Sequence, residues 1–257
     1  MEPLLEVRDL NKSYGAFDVL KKVSFDVRRG EGFVIIGPNG AGKSTLFKSL
    51  TGETIVNSGT VRFCGQDVTG VAPHLRTRLG MARTFQVSRV LLESTALENV
   101  VTAIESRDRY FGNRVERGLF RFRPSDETLG EAWHWLSELG LSHVARMAGQ
   151  KLSHGDRKKL EIAMALVSSP LVLMLDEPTA GMSARERGET TELLNRLKRD
   201  LGITLVLTEH DMDVVFGLAD RILVLNYGEA ITVGEPGAVR DDPQVQQIYL
   251  GQGAAHA

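Results

Sequence analysis

The sequence predicts an α/β fold: a mostly parallel sheet with an antiparallel β part and an inserted helical subdomain. Short β-type runs alternate with helical patterns over most of the chain, the order that builds parallel sheets. Two of these runs, Val34-Ile35-Ile36 and Leu171–Leu175, are continuously apolar, as central strands covered on both faces are. Between about residues 94 and 150 the β-type runs stop and the apolar spacing becomes helical.

Taken in order, the first expected strands are Leu4–Val7, Val23–Val27, Phe33–Ile36 and Thr60–Phe63. Val23, Phe25 and Val27 alternate with polar residues, which suits an antiparallel strand with one wet face. In the insert, Thr95 and Glu98 form a capping-box pattern ahead of Leu97, Val100, Val101 and Ile104. Leu129, Ala132, Trp133, Leu136 and Leu139 form the next helical stripe. Leu160, Ala163, Met164 and Val167 repeat the spacing and stop before Pro170. After the strand Leu171–Leu175 come a stripe of Leu193, Leu194, Leu197 and Leu201, then Gly202 as the expected C-cap. Ile203–Leu207, Ile222–Leu225 and Ala230–Val233 complete the strands. The division expected is an α/β core with its antiparallel part over 1–86 and 153–257, and a helical insert over 87–152.

Composition narrows the classes. The chain has 257 residues, 42% of them hydrophobic, so it can bury a real core. Lys and Arg number 31 against 33 Asp and Glu, a net charge of −2 that points to no polyanionic partner such as nucleic acid. The single cysteine, Cys64, cannot form an intrachain disulfide. No stretch approaches the roughly 18 apolar residues that cross a bilayer. The acidic opening MEPLLEVRDL does not read as a signal peptide. Any work at a membrane is therefore expected to go through a partner. Arg107 to Arg123 holds six arginines with Tyr110, Phe111, Phe120 and Phe122. It reads either as a docking or phospholipid-facing surface or as a solvated loop between helices.

The strongest local signal is Gly37-Pro38-Asn39-Gly40-Ala41-Gly42-Lys43-Ser44-Thr45, an ungapped G-x-x-x-x-G-K-[ST]. It follows an apolar strand and opens a helix carrying Leu46, Phe47 and Leu50. The glycines let successive N–H groups turn inward on phosphate oxygens, and the helix adds its positive end. Lys43 can reach the β- and γ-phosphates, and the Ser44 hydroxyl can ligate Mg²⁺. This is a nucleoside-triphosphate site. A GTPase needs N-K-x-D after the loop; Asn11-Lys12 precedes it and runs into Ser13-Tyr14, so that match fails.

Further along, the apolar strand ends in Asp176-Glu177. Asp176 is placed to hold Mg²⁺ opposite Ser44, and Glu177 to orient or deprotonate the attacking water. The strand Ile203–Leu207 ends in Thr208-Glu209-His210, where His210 can donate to the γ-phosphate. Leu152-Ser153-His154-Gly155-Asp156 precedes another helix. Ser153 and Asp156 fit a capping box, yet a helix start with a free hydroxyl and a glycine N–H is also a phosphate-binding surface.

Together these segments resemble the nucleotide-binding subunit of an ABC transporter, over essentially the whole chain. GPNGAGKST resembles its Walker A loop, LSHGD its signature, LVLMLDEP its Walker B strand and His210 its switch histidine. The resemblance implies a RecA-like P-loop core, ATP and Mg²⁺, and hydrolysis of ATP. It implies that Tyr14 stacks on adenine, and that Gln86 in Ala82-Arg83-Thr84-Phe85-Gln86 reaches Mg²⁺ and the water. It implies that Ser153, His154, Gly155 and Asp156 contact the ATP of a partner subunit. Two departures stand out. His154 and Asp156 occupy positions where Gly and Gln are common, and Ala180-Gly181-Met182-Ser183 replaces a frequent S-A-L-D, with Ser183 an uncertain substitute for its Asp.

Within that family the chain is most similar to importers of branched-chain amino acids. The features are the ARTFQ segment, the basic aromatic insert, Ala180-Gly181-Met182, Glu209-His210-Asp211-Met212 and the ending Ile248-Tyr249-Leu250-Gly251. Importers of urea and short amides share much of this. The resemblance implies permease partners, a second ATP-binding subunit, indirectly a solute-binding protein, and a peripheral place at the cytoplasmic face of the inner membrane. Non-transport ATPases of the superfamily carry coiled-coil inserts or paired cassettes that this chain does not show. A P-loop small-molecule kinase would have no use for the LSHGD segment.

Overall fold

The computed structural model describes residues 2–84, 90–111 and 124–253, with backbone only at 110–111 and 250–253. The chain opens with an antiparallel hairpin, β1 (Leu5–Tyr14) and β2 (Phe17–Val27). Gly15, at φ +60°, makes its two-residue turn possible. Next come β3 (Gly32–Ile36), α1 (Lys43–Leu50), β4 (Ser58–Phe63) and the two-residue β5 (Gln66–Asp67). α2 (Pro73–Arg78) and β6 (Met81–Arg83) lead to the insert, which contains α3 (Ala96–Phe111) and α4 (Asp126–Glu138). α5 (His154–Leu166), β7 (Val172–Asp176), α6 (Ala184–Leu201), β8 (Thr204–Thr208) and α7 (Met212–Leu218) return to the core. β9 (Arg221–Asn226), β10 (Glu229–Gly234), α8 (Pro236–Asp241) and α9 (Pro243–Gly253) follow.

The strands form two sheets. One is antiparallel, in the order β2-β1-β4-β5; the other runs β10-β9-β3-β8-β7-β6. In the second sheet β9, β3, β8, β7 and β6 are parallel, and only β10 runs against its neighbour. Its strands send alternate side chains to opposite faces. Val34, Ile36, Leu173, Leu175, Leu205 and Leu207 join one core with the helices, including Val100, Ile104, Ala132 and Leu136 of the insert. Phe33, Ile35, Val172, Met174 and Val206 join the other, with Leu46, Phe47 and the antiparallel sheet. The insert therefore packs into the same apolar cluster as the core helices.

Every predicted strand is present. β1 and β2 run further than the apolar pattern predicts, because their outer halves are polar and held by cross-strand bonds such as Ser13 Oγ to Asp18 Oδ1, 2.6 Å. β5 and β6 had no signal, being too short to show alternation. The Thr95–Glu98 box forms: Glu98 N donates to Thr95 Oγ1 at 3.2 Å, and Thr95 N to Glu98 Oε2 at 2.7 Å. Gly202 caps α6 at φ +63°, but Leu201 before it is exposed rather than part of the buried stripe. Arg107, first of the basic run, is structural: it pairs with Asp108 and Glu131 and donates to the Val167 carbonyl at 3.0 Å. Residues 112–123 of that run lie outside the described residues.

Arg76 of α2 is 2% exposed. Its Nη1 donates to the Ser49 and Leu50 carbonyls at 3.1 and 2.5 Å, and its Nη2 and Nε to Thr69 and Val71, each at 2.9 Å. It thus satisfies carbonyls left open at the end of α1. Burial pushes its pKa down to about 10, so it remains a cation at neutral pH. Replacing it with methionine is expected to cost about 3 kcal/mol, from several buried carbonyls left unpaired. Urea unfolding checks this; an unchanged midpoint would mean that water reaches the vacated site.

Candidate active site

The strand-to-helix turn after β3 carries the phosphate-loop sequence. Gly37 passes so close to β9 that a Cβ there would run into the Leu225 carbonyl. Gly42, at φ +103°, is the N-cap of α1, leaving no side chain over the helix's first amides. Lys43 Nζ donates to the Gly37 and Pro38 carbonyls at 2.6 and 3.1 Å, which holds the ammonium across the loop. Burial pushes the Lys43 pKa down, and Glu177 and then Asp176 push it back up. Glu177, just beyond β7, and Asp176 at its end thus lie near enough to Lys43 to act on its charge. Pro38, Asn39, Gly40 and Ala41 also line a 290 Å³ cavity with Tyr227 and Ile248. Tyr249, next to Ile248, has its phenol pushed up to about 12 by burial, with the Gly37 backbone acting against it.

Register places the acids beside the loop. Thr208 pairs with both Ile35 and Asp176, so β3, β8 and β7 end at one edge of the sheet. Asp176 is 4% exposed. Its Oδ1 accepts from Thr208 Oγ1 at 2.7 Å, while its buried Oδ2 has no hydrogen bond and lies 3.6 Å from Arg83 Nη2. Glu177 leaves the strand at φ +47°, a left-handed conformation that costs a non-glycine residue about 1 kcal/mol or more. Its N–H donates to the Thr208 carbonyl and Oγ1, at 3.2 and 3.1 Å, which holds the turn.

Glu209 is buried and ties this turn to the end of β8. It accepts from Thr179 N and Oγ1 at 3.1 and 2.6 Å, and from His210 N at 3.1 Å. His210 is exposed at that tip. Sequence reasoning gave Thr208, Glu209 and Thr179 no role of their own. The only cue was a polar run ending an apolar strand.

Ser153 is the exposed N-cap of α5, and its hydroxyl accepts from Asp156 N at 3.0 Å. Asp156 Oδ2 accepts from that hydroxyl at 2.8 Å, so the expected box closes on the serine side chain. Gly155 is buried, and a Cβ there would lie 3.2 Å from Glu186 Oε1. His154 Nε2 lies 3.2 Å from the Ala180 carbonyl, joining this helix start to the segment after Glu177. Ser183 is a full capping-box N-cap for α6 with Glu186. Helix capping accounts for that residue. The segment 153–156 thus bonds within itself and to Ala180.

Tyr14, half exposed at the hairpin tip, has Lys12 Nζ 4.7 Å above its ring. The hairpin lies against the loop, since a Cβ on Gly42 would meet the Val19 carbonyl at 2.7 Å. Gln86 lies outside the described residues. The residues present fit Mg²⁺. Asp176 offers a buried oxygen without a hydrogen bond and Ser44 an exposed hydroxyl, while no cluster of three His, Cys, Asp or Glu with metal-binding geometry occurs among the described residues. Sparse protein ligands suit an ion that keeps waters and binds substrate phosphates.

A nucleotide-binding P-loop core with an inserted helical subdomain is the class that fold and site define. Residues 20–180 match the family described as ABC transporter, and the chain belongs to it. It is 37% identical over 254 residues to the high-affinity branched-chain amino acid transport ATP-binding protein BraF of Pseudomonas aeruginosa, covering 97% of this chain and 98% of that one. The corresponding LivG protein of Escherichia coli is 37% identical over 253 residues, covering 98% and 99%. Among solved structures, an ATP-binding cassette of an ABC transporter in its ADP conformation superposes with a TM-score of 0.84 at 32% identity, covering 98% of this chain and all of that one. Nucleotide binding and ATP hydrolysis are the activities of this domain.

Proposed function

We propose that the chain is the ATP-hydrolysing subunit of an importer of branched-chain amino acids or closely related compounds. The approach of Asp176 and Glu177 to Lys43 at one sheet edge supports the hydrolysis, and the 37% identity to BraF and LivG over nearly the whole chain supports the cargo. The backbone of residues 37–42, Lys43 and Thr45 hold the triphosphate, and Tyr14 stacks on the adenine. Ser44, Asp176 and Gln86 are the residues that would hold Mg²⁺, which screens the phosphate charge and polarises the phosphorus when bound. Glu177 orients and deprotonates water, and His210 donates to the γ-phosphate. Ser153, His154, Gly155 and Asp156 cover the nucleotide of a second ATP-binding subunit, so each ATP joins two chains.

No helix among the described residues is long and apolar enough to cross a membrane, so transport needs permease subunits. A 570 Å³ groove is lined by Glu53, His74 and Arg83, by Ala103 and Arg107 of α3, and by Met164 of α5. There a permease segment feels the core and the insert move. The chain works peripherally at the cytoplasmic face, and a solute-binding protein delivers cargo from the other side.

Reconstitution with candidate permease subunits tests the assignment. Proteoliposomes loaded with ATP are expected to take up labelled leucine with the wild type and not with Lys43→Ala. ATP turnover without uptake of leucine, isoleucine or valine would overturn the cargo.

A further inference from the structure

Arg83 ends the edge strand β6 and belongs to none of the elements given a role above. Its side chain is buried between two carboxylates. Nη1 pairs with Glu53 and donates to Thr51 Oγ1 at 3.2 Å, both just beyond α1. Nη2 stands 3.6 Å from Asp176 Oδ2, and the guanidinium lies 5.0 Å from the Phe47 ring of α1. Glu53 and Arg83 both line the groove described above. One cation is therefore shared between a groove-facing acid and the buried acid at the end of β7.

We propose that Arg83 is a positioning residue that sets how strongly Asp176 supports Mg²⁺-dependent nucleotide binding. Rested on Asp176, the guanidinium neutralises the carboxylate and repels a second cation there; drawn to Glu53, it leaves Asp176 its full charge. Glu53 and Asp176 thus compete for one arginine. Arg83 and Asp176 are buried, so charges a few ångströms apart there are weakly screened and a small displacement changes the metal's environment substantially. This rests on the ATP-site assignment above.

The test is a ratio: the dissociation constant of a fluorescent ATP analogue in EDTA divided by that in millimolar Mg²⁺, measured on the full chain without hydrolysis. Arg83→Gln removes the competing cation and is expected to raise the ratio at least threefold. Glu53→Gln releases Arg83 towards Asp176 and is expected to lower it at least twofold. Opposite movements are the signature, since a purely structural role would shift both variants the same way. Ratios that stay within error of wild type, or move together, overturn the proposal. If Arg83→Gln does not fold, the Glu53→Gln ratio decides alone: a fall supports the proposal, and no fall overturns it. Failure of the wild type to bind the analogue in either buffer would instead overturn the nucleotide site itself.

Discussion

Glu177→Gln is expected to hydrolyse ATP at least ~10²-fold more slowly while binding it as tightly as the wild type. The substitution keeps the size of the side chain and removes its charge and basicity. Its backbone anchors, the Thr208 carbonyl and hydroxyl, are untouched, so the left-handed turn should persist. Lys43 loses one of the two carboxylates that act on its charge, but keeps its bonds to the Gly37 and Pro38 carbonyls. Single-turnover hydrolysis and equilibrium binding of an ATP analogue measure the two sides. Turnover equal to wild type would place the base on another residue.

Ser153→Arg, made in the Glu177→Gln background so that ATP is not consumed, is expected to abolish ATP-driven pairing of chains. Monomeric ATP affinity should stay within about twofold, because residues 153–156 bond to one another and to Ala180. Losing the N-cap costs about 1 kcal/mol at the start of α5, too little to unfold the chain. Size-exclusion chromatography with and without ATP reads the pairing. A dimer as abundant as the parent's would remove residues 153–156 from the interface, and joint loss of affinity and pairing would trace the defect to the chain's own site.

The site was legible in sequence wherever chemistry demands contiguous residues. The phosphate loop is such a place, because its amides come from successive positions; so is Asp176-Glu177, because one strand end supplies both acids. Thr208 and Glu209 were not legible in this way. They act by register, one strand away from the acids they support, and only the pairing of β7 with β8 reveals it. Arg83 escaped for a similar reason: its partners Glu53 and Asp176 are far apart in the chain and meet only when β6 joins the sheet. In the fold, apolar runs announced the central strands, whereas β6 was too short for any periodicity. Ser183, an uncertain substitute for the missing Asp in sequence, caps the start of α6 in the structure.

The backbone at Glu177 has a consequence for how this protein can evolve. Its φ of +47° is a geometry that glycine occupies without penalty. Selection for heat resistance alone would favour glycine at position 177 and yield a chain without the carboxylate proposed to activate water. If Glu177 activates water as proposed, durability and turnover pull on that residue in opposite directions.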